Sequence, residues 1–141
     1  MIMKSILKMK TIEHIGIAVK NLETANKIYS QILNTKPYKE ERVESEGVVT
    51  SFFNCHGTKI ELLQGISKDN EITKFIKNRG EGIHHIAFEV DNIISEIERL
   101  KDLGFRIINN KPKKGADNKL VVFLHPKDAN HVLIELCQKI K

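Results

Sequence analysis

Two histidines and two glutamates occupy matching positions in the two halves of this sequence. His14 begins the stretch HIGIAVKNL, and His85 begins HIAFEVDNI 71 residues later. Near the end of each half, Glu61 lies in KIELL and Glu135 lies in LIELC, 74 residues later. An early histidine and a late glutamate in both halves indicate a duplicated structural unit. Two imidazoles and two carboxylates form a ligand set that suits a divalent metal ion.

The elements that carry these residues can be predicted from hydrophobic periodicity. Each half begins with a strand of alternating apolar residues and continues with an amphipathic helix, for which Asn21 is the expected N-cap in the first half. Three further strands and their turns follow each helix. The predicted strands are 12–19, 38–45, 48–54 and 59–64 in the first half, and 83–90, 105–109, 120–124 and 131–137 in the second. The predicted helices are 22–33, 92–103 and a connecting helix over 69–78.

The pattern is therefore β-α-β-β-β twice, which predicts an α+β fold with a mixed sheet and helices to one side. We expect a single domain over residues 1–141. Its first module should cover about 12–66, its linker helix about 67–82 and its second module about 83–138.

Strand alternation suggests which side chains share a face. His14 and His85 lie opposite the large apolar residues of their strands, so both should face an open side of the sheet. His84 has the opposite parity and is predicted to be a packing or hydrogen-bonding residue on the core side. Glu61 and Glu135 are costly to bury unless they are paired or bind a cation.

If the modules pack about a pseudo-twofold axis, the four residues converge in one cup, and we expect a metal site there. The alternative is four unrelated residues at strand ends, satisfied by lysines or water.

Composition narrows the function classes. Apolar residues make up 40% and charged residues 29% of the chain, and the net charge is +5. The charge is dispersed, without a basic stripe or zinc-finger spacing, so we expect no nucleic-acid partner. We expect neither a signal peptide in residues 1–10 nor a membrane span. Cys55 and Cys137 lack metal or redox spacing and are expected to be packed thiols, which fits a cytoplasmic location.

Several motifs carry a family resemblance over roughly 12–138. They are HIGIAVKNLE, GTKIELL, IHHIAFEV, FLHPKD, VLIEL and the linker segment KFIKNRGEG. The chain resembles the vicinal-oxygen-chelate superfamily, and within it the methylmalonyl-CoA epimerase family. This resemblance implies a glyoxalase-like fold, two tandem modules forming a cupped mixed sheet around a metal site, and a homodimer.

The resemblance also implies roles for individual residues. It implies metal ligation by His14, Glu61, His85 and Glu135, with cobalt, manganese, zinc, nickel or magnesium as the ion. The implied reaction interconverts the R and S forms of methylmalonyl-CoA, a coenzyme A thioester of propionate metabolism, through an enolate that the metal stabilises. Glu135 is expected to be the first catalytic base and Glu61 the second.

The chain departs from the family pattern at three places. Thr50 stands where some epimerases carry a catalytic glutamate. The segment GADN, 115–118, replaces the usual GAHG, and Asn130 and His131 replace two glycines. Asparagine tolerates a left-handed backbone, so the loop shapes are expected to persist. Loop residues Lys113, Lys114 and Lys127 are either coenzyme A phosphate contacts or solvated surface charge.

Three alternative functions stay open at this stage. Glyoxalase I of bacteria also has a glutamate at the Glu61 position and shares the ligand set. An extradiol dioxygenase is less consistent with a fourth ligand, because oxygen chemistry needs an open position. A metal-free binding module of the same superfamily would lack the ligand set.

Overall fold

The first module follows the predicted order of elements. The computed structural model describes residues 10–109 and 111–141. Strand β1 spans Thr11–Ala18 and helix α1 spans Leu22–Leu33. The helix begins as predicted, because the Asn21 side chain accepts a hydrogen bond from the Thr24 backbone N–H. Residues 1–9, where we expect no signal peptide, lie outside the described residues.

Three antiparallel strands complete this module. They are β2 (Lys39–Val43), β3 (Val48–Cys55) and β4 (Thr58–Gly65). A short 3-10 helix, Glu44–Glu46, ends β2 earlier than predicted. The linker then forms helix α2 (Glu71–Arg79), which the Asn70 side chain caps.

The second module repeats this arrangement, but its second and last strands differ from the prediction. It contains β5 (Gly82–Glu89), α3 (Ile93–Asp102), β6 (Lys113–Lys114), β7 (Lys119–Phe123) and β8 (Ile134–Lys139). The strand predicted over 105–109 does not form, and one isolated bridge between Ile107 and Leu124 takes its place. The second strand of the module is instead the two-residue β6, which the sequence assigned to a loop.

The last strand begins three residues later than predicted. Asn130 and His131 both have positive φ angles, 57° and 67°, so the chain is still turning there. Asp117 and Asn118, in the GADN segment, are also left-handed, with φ of 57° and 56°. These four residues therefore adopt the left-handed backbone that glycine adopts most readily.

The eight strands found in residues 10–109 and 111–141 form one mixed sheet in the order β2-β3-β4-β1-β5-β8-β7-β6. β1 and β5 pair antiparallel at its centre, and each has a parallel neighbour, β4 or β8. The sheet curls until its two ends meet, since Lys113 of β6 lies 3.9 Å from the Glu46 carboxylate that follows β2. Lys39 of β2 likewise binds Asp117, at 2.7 Å. We call the concave side of this curled sheet the cup.

Each module has its own apolar core on the convex side, against α1 or α3. The first core centres on Leu22, Phe53 and Leu62, and the second on Ile93, Ile97 and Val122. Helix α2 packs on the other side, where Ile72 belongs to one apolar cluster with Ala18 and Leu63. Burying the large residues on the convex side leaves the smaller and polar residues of β1 and β5 for the cup. The α+β fold with a mixed sheet is confirmed.

None of the helices in the described ranges, 10–109 and 111–141, is long and apolar enough to cross a membrane.

Candidate metal centre

Two β-bulges shape the centre of the cup. In the β1–β5 ladder, Ile12 pairs with Phe88 and His14 with Ala87, so Glu13 is an extra residue in β1. Further along, Gly16 pairs with His85 and Ile17 with Ile83, so His84 is an extra residue in β5. The two bulges obey the same 71-residue repeat as the histidines. A bulge re-aims the side chains beside it.

The bulge overturns the predicted position of His84. Strict alternation placed it on the core side, opposite His85. Instead its Nδ1 lies 2.9 Å from Nδ1 of His85, and its ring packs edge-on against Phe75 of α2. His84 therefore lies on the cup side, where it packs and forms a hydrogen bond. Burial lowers the pKa of its imidazole to about 4, so it is neutral at physiological pH.

Three predicted residues meet through one atom each. His14 Nε2 lies 3.0 Å from His85 Nε2. Glu135 Oε1 lies 3.2 Å from the His85 nitrogen and 3.5 Å from that of His14. The three side chains come from β1, β5 and β8, and each residue is at most 5% exposed. Strand alternation and the repeat together predicted this convergence.

Glu61 joins the group from the other side of the His14 ring. It comes from β4, where it pairs in register with Gly16 of β1. Its Oε2 lies 3.1 Å from His14 Nδ1. One ligand atom each from His14, Glu61 and His85 lies within 4.8 Å of the others, close enough to hold one metal ion.

Burial gives these groups unusual acidities. Burial raises the pKa of Glu61 to about 8. For His14, burial opposes charge, but hydrogen bonds to Glu13 and Glu135 and the charge of Glu61 outweigh it and raise the pKa to about 10. Burial and the charge of His14 lower the pKa of His85 well below its usual value. Without a cation, the site thus retains protons that a metal would replace.

The donor set fits a divalent cation. Two imidazoles and two carboxylates lie together with 4–5% exposure, and buried carboxylates need a compensating positive charge. Nitrogen and oxygen donors of this kind suit first-row divalent ions. Two carboxylates would neutralise such an ion.

The two phenylalanines opposite the glutamates follow the repeat as well. Phe52 pairs with Glu61 in the β3–β4 ladder, and Phe123 pairs with Glu135 in the β7–β8 ladder. The Phe123 ring lies 6.0 Å from that of His85, nearly perpendicular to it. Each phenylalanine is therefore the cross-strand neighbour of one of the two carboxylates.

Gly16 leaves the space that the His85 ring occupies. The two residues face each other across β1 and β5, and a Cβ added to Gly16 would overlap the His85 imidazole. We expect Gly16→Ala to displace this ring and to lower the free energy of unfolding by about 1–3 kcal/mol, as overpacking does. Denaturant unfolding and metal titration measure the two effects. Unchanged stability together with unchanged metal affinity would contradict this explanation of the glycine.

Sequence reasoning missed two glutamates near the site. Glu13 is 2% exposed, and its Oε1 lies 2.6 Å from His14 Nδ1. The sequence did contain a signal for Glu13, because it is a charged residue inside the otherwise largely apolar strand TIEHIGIA. Glu46 is the second. Burial and the negative charge of Glu135 raise the pKa of its carboxyl group, so Glu46 interacts with a residue of the site. Thr50, at the position where the resemblance implies a catalytic glutamate in some epimerases, is fully buried, and its hydroxyl has no hydrogen-bond partner among the described residues.

A cavity of about 590 Å³ extends from His85 toward helix α2. His84 and His131 line it, together with basic residues Lys74 and Arg79. This places His131 at the wall of a space that reaches the candidate metal centre.

Comparison with known proteins agrees with this geometry. A family profile described as the glyoxalase/bleomycin resistance protein/dioxygenase superfamily matches residues 13–123. The fold and the candidate metal centre therefore define a member of that superfamily. The ethylmalonyl-CoA/methylmalonyl-CoA epimerase of Cereibacter sphaeroides is 40% identical over 129 residues, covering 90% of this chain and 96% of the relative. This chain belongs to the methylmalonyl-CoA epimerase family.

Solved structures agree as well. The methylmalonyl-CoA epimerase of Mycobacterium tuberculosis superposes with a TM-score of 0.88 at 31% identity, covering 92% of this chain and 88% of that one. An epimerase crystallised with methylmalonyl-CoA and ammonium superposes with a TM-score of 0.88 at 29% identity, covering 94% and 96%. The expected glyoxalase-like fold is confirmed.

Proposed function

We propose that this protein is a metal-dependent epimerase that interconverts the R and S forms of methylmalonyl-CoA. The observation that carries the proposal is the convergence of four buried ligand-type residues, two from each module, at the centre of the cup. Relatives that cover nearly the whole chain bear the name of this activity.

The proposed ligands are His14, Glu61, His85 and Glu135. Their elements are β1, β4, β5 and β8, the four central strands of the sheet, so the backbone that holds them is hydrogen-bonded on both sides. When bound, a divalent ion would stabilise the negative charge that develops on the thioester oxygen as the α-proton leaves. The proposed ions are those expected from sequence, cobalt, manganese, zinc, nickel or magnesium.

The two glutamates are proposed to move the proton. Inversion requires removal of a proton from one face of the α-carbon and delivery to the other. Glu135 and Glu61 come from repeat-related strands on either side of the β1–β5 pair, so they suit opposite faces. We assign the first role to Glu135, and Glu61 exchanges protons on the second face.

Lysines of the second module are proposed to meet the coenzyme A phosphates. Lys113 and Lys114 form the exposed edge strand β6, and Lys127 lies in the 3-10 helix after β7. Lys113 stands at the edge of the cup, near Glu46. A basic side chain at that edge suits a ligand whose thioester lies inside the cup and whose phosphates lie outside.

The remaining proposals concern the oligomeric state, the location and the metabolic role of the protein. We propose a homodimer, which exposed apolar residues such as Ile83, 62% exposed, and Val132, 39% exposed, would support. We also propose a cytoplasmic role in propionate metabolism. Cys55 and Cys137 are both free thiols, which suits a reducing compartment.

Proton exchange in D₂O tests the proposed function. We expect the metal-loaded protein to wash out the α-proton of methylmalonyl-CoA far above the uncatalysed rate, because each turnover passes through deprotonation. NMR follows the loss of that signal. Chelation should abolish the exchange, and restored metal should restore it.

The same experiment distinguishes the proposed epimerase from the alternative functions. No exchange with any of several metals would refute the epimerase assignment, and methylglyoxal with glutathione would then test the glyoxalase alternative. Exchange that survives complete chelation would refute the metal's role.

A further inference from the structure

Glu13 reaches the ring nitrogen of His14 that points away from His85 and Glu135. Its Oε1 lies 2.6 Å from His14 Nδ1, whereas Glu61 Oε2 lies 3.1 Å from the same atom. The Nδ1 proton is therefore donated to Glu13. The opposite nitrogen, Nε2, faces His85 and Glu135.

The carboxylate of Glu13 is itself held at its second oxygen. Lys59 Nζ of β4 lies 2.8 Å from Oε2, and Lys119 Nζ of β7 lies 3.3 Å from it. Lys119 is 3% exposed and also binds Asp117, at 3.1 Å. One lysine comes from each module, so Glu13 ties both halves of the sheet to one histidine. With both oxygens engaged, the carboxylate has little freedom to turn away from His14.

The repeat-related position in the second module differs in chemistry. There His84 contacts His85 Nδ1, at 2.9 Å. One histidine of the candidate centre thus has a charged hydrogen-bond acceptor and the other has a neutral partner. Nothing in the apolar packing of β1 requires a carboxylate at Glu13, and burying one is costly unless it is fully bonded.

We propose that Glu13 is a positioning residue that accepts the Nδ1 proton of His14 and fixes the ring so that Nε2 faces the cup. For metal binding the inference rests on the proposed function. A carboxylate that orients a metal-binding imidazole also makes it a stronger donor, and loss of such a partner commonly weakens metal affinity 10- to 100-fold. Because the Nδ1–H of His14 donates its hydrogen bond to Glu13, it does not use Glu61 as its acceptor. The Glu61 carboxylate is therefore available to the cation.

The contact can be tested without metal. In metal-free protein labelled with ¹⁵N-histidine, we expect a downfield His14 Nδ1–H resonance, assigned by its absence in His14→Asn. Glu13→Ala should remove it or move it upfield. Glu13→Gln, which keeps the size of the side chain, should move it upfield because a neutral amide is a weaker acceptor. Glu89→Gln, on neighbouring β5 and 3.9 Å from Lys139, is the matched control and should leave it unchanged.

Metal titration tests the consequence. We expect Co²⁺ to bind Glu13→Ala about 10- to 100-fold more weakly than wild type, with a smaller loss in Glu13→Gln and none in Glu89→Gln. Circular dichroism verifies that each variant is folded. An unchanged resonance in folded Glu13→Gln, or wild-type affinity in both Glu13 variants, would overturn the proposal. If wild type bound no divalent cation, the proposed function would fail, and the resonance would still decide whether Glu13 holds His14.

Discussion

Glu135→Gln is expected to lower kcat for epimerisation by about 100- to 10,000-fold, the usual contribution of a general base. Glutamine fills the same volume between His85 and His14 but cannot accept a proton. The fold should persist, because the residues around position 135 keep their contacts. The measurement is the rate of α-proton exchange per bound metal ion, with stability followed in parallel.

Metal content separates the two proposed roles of Glu135. If the variant binds the ion but exchanges protons slowly, the carboxylate acts as a base. If the loss disappears at saturating metal, the side chain serves as a ligand alone. Glu89→Gln introduces the same change on an adjacent strand and should retain wild-type activity. Full activity of Glu135→Gln would refute the catalytic role.

Binding of a divalent ion at pH 7 is expected to release about two protons. The pKa of Glu61 is raised to about 8 and that of His14 to about 10, so both groups hold a proton before the ion arrives. A metal requires the carboxylate and the bare imidazole nitrogen. His85, whose pKa is lowered, is already neutral and releases none.

The sign of the pH dependence follows from the same pKa values. Below pH 8, each unit of rising pH should increase the apparent affinity about 100-fold, because two protons are displaced. Between pH 8 and pH 10, Glu61 is already deprotonated and the metal displaces only the proton of His14. The apparent affinity should then increase only about tenfold per pH unit. Isothermal titration in buffers of different ionisation enthalpy counts the protons. Glu61→Gln should release one fewer, and a heat independent of buffer in wild type would contradict the prediction.

The sequence alone determined most of the architecture. Hydrophobic periodicity located α1, α2 and α3 and the central strands. A helix or strand buries one face, and the spacing of its apolar residues shows which face that is. It failed at 105–109, where apolar residues alternate but only Ile107 forms a bridge. Apolar residues can also be buried by an irregular segment, so the pattern does not establish strand pairing.

The sequence also determined which side chains meet in the cup. His14, Glu61, His85 and Glu135 follow from a repeat and from alternation, and both can be recognised in the sequence without knowing which strands pair. Tertiary structure alone decided the surroundings of those residues. Strict alternation gave His84 the wrong face, and Glu13 was not noticed at all.

The physical reason is the pair of bulges between β1 and β5. A bulge exists only relative to a partner strand, and these partners are about 70 residues apart in sequence, as the pairing of Gly16 with His85 shows. Each bulge turns an extra residue toward the neighbouring histidine, and only the pairing register reveals which residue is extra. The repeat and strand alternation thus identified the four candidate ligands, whereas the folded sheet decided what holds His14 and His85 in position.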